Sequence, residues 1–513
     1  MSRSALLLGI DLGTSSVKVI LTDEGGRVEG RGAAEYPILR PGPGRAEQAP
    51  ADWWSAIRAA LAAALRATRD PGAATRVAAI GLDGQMHGTV LLDAAGEAVG
   101  EAVIWPDQRS GAEVEELTAE LGAEAVLEAV GGPLATGFQA PTLRWLRAHD
   151  PGRWDRAATV LLPKDWVRWR LTGEWATDPS DGSGTGLLDA RTRDWWAPML
   201  GAVGIAPQRL PPVHDALESA GGLRPSVAAE LGLPSGIPVA VGAGDTPAGL
   251  LGAGLVTADA LLVTISTGGQ VAVPAAEVSV DVLGRAHTFC AALAPSARSA
   301  GWYRMAGVLS AGAALRWLRD DVLGLDPSEG YEQMAAWAGD VAPGAAGLLF
   351  LPYLAGERSP LMDPRARGTF VGLTGRHGRA ELVRAVLEGV AFACLDAASC
   401  LAAAGPLPAA LVLGGGGARS RVWSGILADV FGRPASRLRT DEQAALGACI
   451  LGGGAAGLLD PVAAARGWAS LERAMEPEAA AVQRYRELFS LFRATHRAIV
   501  DVDHRLGTLV APA

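Results

Sequence analysis

The segment that most restricts the fold is Leu6–Thr22, LLLGIDLGTSSVKVILT. Two apolar runs, Leu6–Asp11 and Val17–Thr22, flank a short polar stretch at Gly13-Thr14-Ser15. Runs of this length, joined by a glycine turn, predict two strands of an antiparallel hairpin. A second turn at Asp23-Glu24-Gly25-Gly26 leads to a third strand over Arg27–Ala34. Such a meander does not supply the strand–GxGxxG–helix opening of a dinucleotide-binding dehydrogenase. Of the 45 basic residues only two are lysines, Lys18 and Lys164, so no GxxxxGK[ST] phosphate loop exists. Any phosphate bound here must be held by another device.

With 513 residues the chain is too long for one ordinary core, and two lobes around a cleft are expected. In the first half, a helix over Ala51–Ala67 places Trp53, Ile57, Leu61 and Leu65 on one face, with Asp52 near its start. Val77–Leu82 reads as a buried strand, and Ala140–His149 and Asp165–Leu171 as helices. The glycine-rich stretch Pro234–Gly254 marks the boundary. The second half restarts the pattern: strand Ala260–Ile265, the turn Ser266-Thr267-Gly268-Gly269, then another strand. Helices follow at Glu381–Ala403, Ser420–Phe431 and Glu478–Ile499, with a strand at Ala410–Leu413 and a turn at Gly414–Gly417. The halves share a pattern but no repeated sequence. The resulting division is residues 1–248, residues 249–490, and a tail over 491–513.

Apolar residues make up 49% and charged residues 19%, a composition that folds. A net charge of −10 without a basic run argues against nucleic-acid binding. Cys290, Cys394, Cys400 and Cys449 form no CxxC pair and read as buried reduced thiols, which suits the cytoplasm. The apolar stretch Ala5–Ile10 meets Asp11 too soon for a signal peptide. No membrane helix is expected; the uncharged run Ala397–Ala418 comes nearest and is broken by Gly405, Pro406 and Pro408.

Five motifs carry chemistry. In Gly9–Lys18, Gly13 lets backbone N–H groups approach phosphate oxygens, and Thr14 and Ser15 add hydroxyls. Asp11 can hold Mg²⁺ through water. The same loop could also be a plain hairpin tip. Thr267 and Gly268 fit the same task from the other half, or a simple glycine turn. Gly415, Gly416, Gly417 and Ala418 allow close approach by adenine or ribose, although a glycine run alone is weakly specific. Asp245, flanked by glycine at Gly244, can accept a proton from an attacking hydroxyl or can serve as a turn aspartate. Gln85, Met86 and His87 offer the mixed lining that a polyol needs; His87 could equally be a satisfied core histidine.

Taken together with Leu162-Pro163-Lys164-Asp165, Leu351-Pro352-Tyr353-Leu354 and Gly356-Glu357-Arg358, these motifs resemble the FGGY carbohydrate kinases, and among them the bacterial xylulokinases, from about Leu6 to about Arg486. The resemblance implies an α/β protein of two ribonuclease-H-like (actin/hexokinase-type) domains around an ATP cleft. It implies ATP and Mg²⁺ as cofactors and phosphorylation of a ketopentose, D-xylulose to D-xylulose 5-phosphate, with ribulose, xylitol or arabitol as alternatives and glycerol disfavoured. Asp245 then resembles the catalytic base and Met86 and His87 the sugar-contacting pair. Asp11 joins Asp245 as a catalytic and metal-side carboxylate. Gly13, Thr14 and Ser15, Thr267 and Gly268, and Gly415 to Ala418 become the ATP-binding segments. The partners implied are a small sugar and ATP, with neither nucleic acid nor membrane, and a homodimer is left open. Three positions depart from the family pattern: Thr246 replaces the usual Asn in the sugar site, Asp83 a small residue, and Thr142 a lysine. An actin-like ATPase shares the fold but has no need of the Gln85-Met86-His87 loop or Asp245.

Overall fold

The computed structural model describes residues 4–509. Strands β1 (Leu6–Leu12), β2 (Ser16–Asp23) and β3 (Val28–Glu35) form the antiparallel meander. Strand β4 (Val77–Gly84) lies parallel to β1, and β5 (Pro238–Ala240) parallel to β4. The short β6 (Ala243–Gly244) pairs with the last rungs of β4. The order is β3-β2-β1-β4-β5, with Ser219–Gly222 on the outer edge.

The second half repeats this path. Strands β7 (Leu261–Ile265), β8 (Gly269–Ala275) and β9 (Trp302–Val308) are antiparallel. Strand β10 (Leu411–Gly414) lies parallel to β7, and β11 (Ala435–Arg437) parallel to β10. The order β9-β8-β7-β10-β11 matches the first sheet, with His287–Cys290 added beside β9. The repeat visible in sequence only as a pattern is therefore a repeat of topology, that of two ribonuclease-H-like sheets.

Helix α1 (Pro50–Ala67) starts on a proline, whose missing N–H would be unpaired there anyway. It buries Trp53, Ile57 and Leu61 against the first sheet. It lies so close to β3 that a Cβ at Gly32 would stand 2.1 Å from the Ala60 carbonyl oxygen. Helix α2 (Asp245–Gly252) begins at Asp245, which sequence alone placed in an irregular segment. Helix α3 (Arg379–Ala403) is long and apolar enough to cross a membrane, yet 83% of its apolar window is buried inside the protein. It is the central helix of the second core, packed with Val271, Val273 and Phe350. The four cysteines are free and buried, as expected.

Helix α4 (Gln443–Ala455) was not foreseen, because Gly452-Gly453-Gly454 reads as a helix breaker. Glycine is used here for contact. A Cβ at Gly81 would stand 1.7 Å from the Ala448 carbonyl oxygen, and one at Gly9 2.3 Å from that of Ala445. Helix α4 also meets α2 backbone to backbone, since a Cβ at Gly252 would lie 1.9 Å from the Gln443 carbonyl oxygen and one at Gly447 2.0 Å from that of Ala248. A helix late in the chain thus rests on β1 and β4 of the first sheet. The final helix, α5 (Ala479–Leu509), runs ten residues past the predicted Ile499.

Candidate active site

Three functional segments leave the carboxyl ends of neighbouring parallel strands, the end at which open α/β sheets place their ligands. Asp11 of β1 is in register with Asp83 of β4, and Asp83 with Ala243 of β6. The first hairpin turn, the Gln85–Gly88 loop and Asp245 are therefore side by side. On the second sheet, Thr264 of β7 is in register with Gly414 of β10, so the turn at Ser266–Gly269 and the glycine run emerge together. A Cβ at Gly415, where φ is +78°, would stand 2.5 Å from the Ile265 carbonyl oxygen; only glycine combines that conformation with that contact.

The first hairpin tip is held from several sides. Gly13 N–H donates to the Ser16 carbonyl (3.1 Å), and the Tyr36 hydroxyl donates to the Gly13 carbonyl. Gln48 Nε2 donates to the Thr14 carbonyl (2.7 Å), and Trp105 Nε1 donates to Thr14 Oγ1 (2.8 Å). With an indole donating to it, the Thr14 hydroxyl keeps its own proton for a ligand. Ser15 is exposed at the tip. In the second hairpin, Thr267 is exposed and Gly268 half-buried. The Thr267 carbonyl accepts from Ala311 N–H (3.1 Å) and Ala313 N–H (2.9 Å), which seats the loop on the start of the helix Gly312–Trp317.

Three carboxyl groups converge at the first sheet's carboxyl end. Burial raises the pKa of Asp11, with Lys18, its cross-strand partner, acting in the opposite sense. Asp83 is 1% exposed and neither of its oxygens meets a donor among the described residues. Burial, followed by the charges of Asp11 and Asp245, pushes its pKa well above the ordinary carboxylate range. Asp245 is raised to about 7, first by burial and then by Asp11. Thr246 opposes that rise: its N–H donates to Asp245 Oδ1 at 2.6 Å and its hydroxyl at 3.2 Å. The threonine that departs from the family pattern therefore serves the carboxylate beside it.

A buried carboxyl without a donor, beside two more carboxylates and one lysine, suits a divalent cation. No group of three His, Cys, Asp or Glu side chains among the described residues is arranged to ligate an ion directly. Carboxylates of this kind would hold a hard divalent cation through its water shell.

His87 has φ +75°, a conformation uncommon outside glycine and asparagine. Its ring stacks on Phe138 (4.4 Å between centroids, 5° between planes), and its Nδ1 lies 2.5 Å from the Gly184 carbonyl oxygen. A carbonyl can only accept, so Nδ1 carries the proton. Burial lowers the His87 pKa to about 3, which leaves Nε2 neutral and able to accept a hydrogen bond from a hydroxyl. Met86 is buried; its sulfur accepts from the Tyr303 hydroxyl at 3.7 Å, and it packs against Gly244, where a Cβ would stand 2.8 Å from Met86 Cγ. Gln85 is 1% exposed. It donates to Gln48 (2.8 Å), which in turn holds the Thr14 carbonyl, so it braces the β1–β2 hairpin.

Sequence reasoning missed Trp105 and gave no role to Phe138 or Arg358. The Arg358 guanidinium lies over the Trp105 ring at 6.0 Å and makes no hydrogen bond or ion pair among the described residues. It brings an unpaired charge from the second half to the His87 side of the site, where it adds to the lowering of the His87 pKa. The quoted Gly356-Glu357-Arg358 motif was the available signal. Trp105 has no local signal, because only the tertiary fold brings it to Thr14.

Known proteins resemble this chain along most of its length. Residues 6–252 match the N-terminal domain, and residues 267–456 the C-terminal domain, of the FGGY family of carbohydrate kinases. The xylulose kinase of Escherichia coli (strain K12) is 38% identical over 447 residues, which cover 87% of this chain and 89% of that protein. The crystal structure of a xyloylose kinase from Brucella ovis superposes with a TM-score of 0.89 at 36% identity, covering 97% of this chain and 100% of the other. A gluconate kinase structure from Lactobacillus acidophilus gives the same TM-score at 25% identity, covering 97% and 98%. The chain belongs to the FGGY family of carbohydrate kinases.

Proposed function

We propose that this enzyme transfers the γ-phosphoryl group of ATP to D-xylulose, forming D-xylulose 5-phosphate. The observation that carries the chemistry is Asp245: a carboxyl group with a pKa of about 7, at the first turn of α2, one rung from the neutral acceptor loop of His87. The nearness of the E. coli and Brucella kinases supports xylulose as the sugar. Residues 1–248 carry the sugar loop and first phosphate hairpin, residues 249–490 the second hairpin and adenosine segment, and residues 491–513 the end of the last helix and the tail.

In this reading the sugar lies against Met86, His87, Asp245 and Thr246, with a hydroxyl donating to His87 Nε2 and the reacting hydroxyl donating to Asp245. ATP lies along Gly415 to Ala418, its phosphates between the hairpin tips. Gly13, Thr14, Ser15, Thr267 and Gly268 donate to phosphate oxygens. Asp11, with Asp245 close by, would hold magnesium through water; bound magnesium supplies neutralisation of charge on the phosphates. Ionised Asp245 accepts the hydroxyl proton as oxygen attacks phosphorus in line, and ADP leaves. Buried reduced thiols fit a cytoplasmic enzyme, and the reading leaves a homodimer open.

The test is Asp245→Asn in a coupled ADP-release assay. Turnover should fall by roughly 10²–10⁴ while ATP affinity holds; turnover near wild type would remove Asp245 from the mechanism. The same assay across D-xylulose, ribulose, xylitol, arabitol and gluconate ranks kcat/KM. A polyol or gluconate outranking D-xylulose would overturn the choice of sugar and leave the kinase chemistry standing.

A further inference from the structure

The segment Asp178–Thr185 lies outside the motifs used so far, yet it touches each part of the sugar site. Ser180 Oγ accepts from Gly244 N–H at 3.1 Å and donates to Asp178 Oδ2 at 2.5 Å. Asp178 also accepts from Ser180 N–H (2.8 Å) and lies 3.1 Å from Lys164 Nζ through its other oxygen. Lys164 Nζ and Arg168 Nη1 both bind Asp165 Oδ1, at 2.7 and 2.8 Å. Both also donate to the Val241 carbonyl, at 3.4 and 3.3 Å. The residues that lead into Asp245 are therefore fixed at Val241 and again at Gly244.

The other end of the segment holds the sugar loop. The Gly184 carbonyl accepts from His87 Nδ1 at 2.5 Å. Ser183 Oγ donates to the Ser180 carbonyl (3.0 Å) and accepts from Cys290 N–H (3.1 Å), on the edge strand of the second sheet. One run of seven residues thus sets where the Asp245 turn and the His87 ring stand relative to each other.

Lys164, Asp165, Arg168, Asp178 and Ser180 are all 0% exposed. Buried ion pairs are a poor source of stability, because apolar residues of the same volume commonly do as well. What such a network supplies is direction, since each hydrogen bond fixes an angle as well as a distance.

We propose that Asp178–Gly184 is the positioning element of the active site and that Ser180 orients Asp245 through the Gly244 N–H. The inference rests on Asp245 as the proton acceptor. Ser180 touches neither sugar nor ATP, so it is a positioning residue.

The experiment compares Ser180→Ala, Ser180→Thr and Asp245→Asn in the full chain. Ser180→Ala removes the acceptor from a buried N–H. It should lower kcat by roughly 10- to 100-fold, the scale of a small misplacement of a catalytic group, while the KM for D-xylulose changes little. Ser180→Thr keeps the hydroxyl and should recover most of the loss. If Ser180→Ala does not accumulate as folded protein, Ser180→Cys, a weak acceptor of nearly the same volume, is measured in its place with the same expected signs. The proposal falls if the acceptor-lacking variant keeps wild-type kcat at any stability. It also falls if Ser180→Thr is as impaired as that variant. An active Asp245→Asn would bring down the proton-acceptor assignment itself; an inactive one beside a normal Ser180→Ala would bring down only the positioning role.

Discussion

Gly447→Ala sets two effects of opposite sign against each other. Gly447 is inside α4, where alanine is favoured over glycine by about 0.8–1 kcal/mol. Its Cβ, however, would stand 2.0 Å from the Ala248 carbonyl oxygen, 2.7 Å from the carbonyl carbon and 3.0 Å from Cα, all backbone atoms of α2. Ordinary contact for such a carbon begins at 3.4 Å, and no flexible side chain is there to give way. The two helices must part, and overpacking of this kind costs about 1–3 kcal/mol. Contact with rigid backbone belongs at the upper end, so clash wins over propensity by about 1–2 kcal/mol. For a lobe of this size that lowers the melting temperature by roughly 2–8 °C. Because α2 begins at Asp245, a displacement of about 1 Å also reaches the chemistry and can cost roughly 10² in kcat. Gly425→Ala, inside the helix Arg421–Phe431, is the control. Nothing lies within 4 Å of its Cβ, and it should stabilise by about 0.5–1 kcal/mol. Calorimetric melting of both variants and their kcat in the ADP-release assay decide the matter. A Gly447→Ala protein that melts at or above wild type with unchanged kcat would falsify the reasoning.

Two further predictions concern pH. Turnover should rise as Asp245 ionises near its pKa of about 7, and Thr246→Val, which removes the hydroxyl donor at 3.2 Å, should move that limb toward alkaline pH; an acid shift would contradict the assignment. Glu357 is 2% exposed and burial raises its folded pKa to about 7 from an ordinary 4.5, although Leu309 and Arg358 N–H groups both donate to it at 2.8 Å. Its contribution to stability is therefore intact below about pH 4.5 and declines as pH rises through about 7. Glu357→Gln should flatten that decline in urea unfolding between about pH 5 and about pH 8, and parallel curves for the two proteins would refute it.

What the sequence made legible was mostly local. The β1–β2 hairpin follows from two apolar runs and a glycine tip, and its strands end within a residue or two of expectation. The placement of Asp11 beside Asp83 and Asp245 needed the parallel register of β4 and β6, which no local signal encodes. Gln85 read as part of a sugar-facing loop, and no local signal foretold that its Nε2 donates to Gln48 inside the fold. Helix α4 was hidden by its own glycines, which are chosen for close approach and against propensity. The end of α5 was misjudged because beyond Ile499 the exposed Val502 and Leu506 carry no burial pattern to read. Asp178–Thr185 showed only small and polar residues, which read as loop until Lys164 and Gly244 are seen around it.

The chemistry of the molecular surface follows from two positions described above. Lys164 is sealed at 0% exposure among carboxylates, and Lys18, half-buried on β2, reaches the Asp441 carbonyl at 3.5 Å. With no other lysine in the chain, the protein offers water a single side-chain amine. Lysine-directed acylating reagents and aldehydes, which scatter over the many lysines of an ordinary protein, would here be drawn to the one amine on β2, beside Asp11.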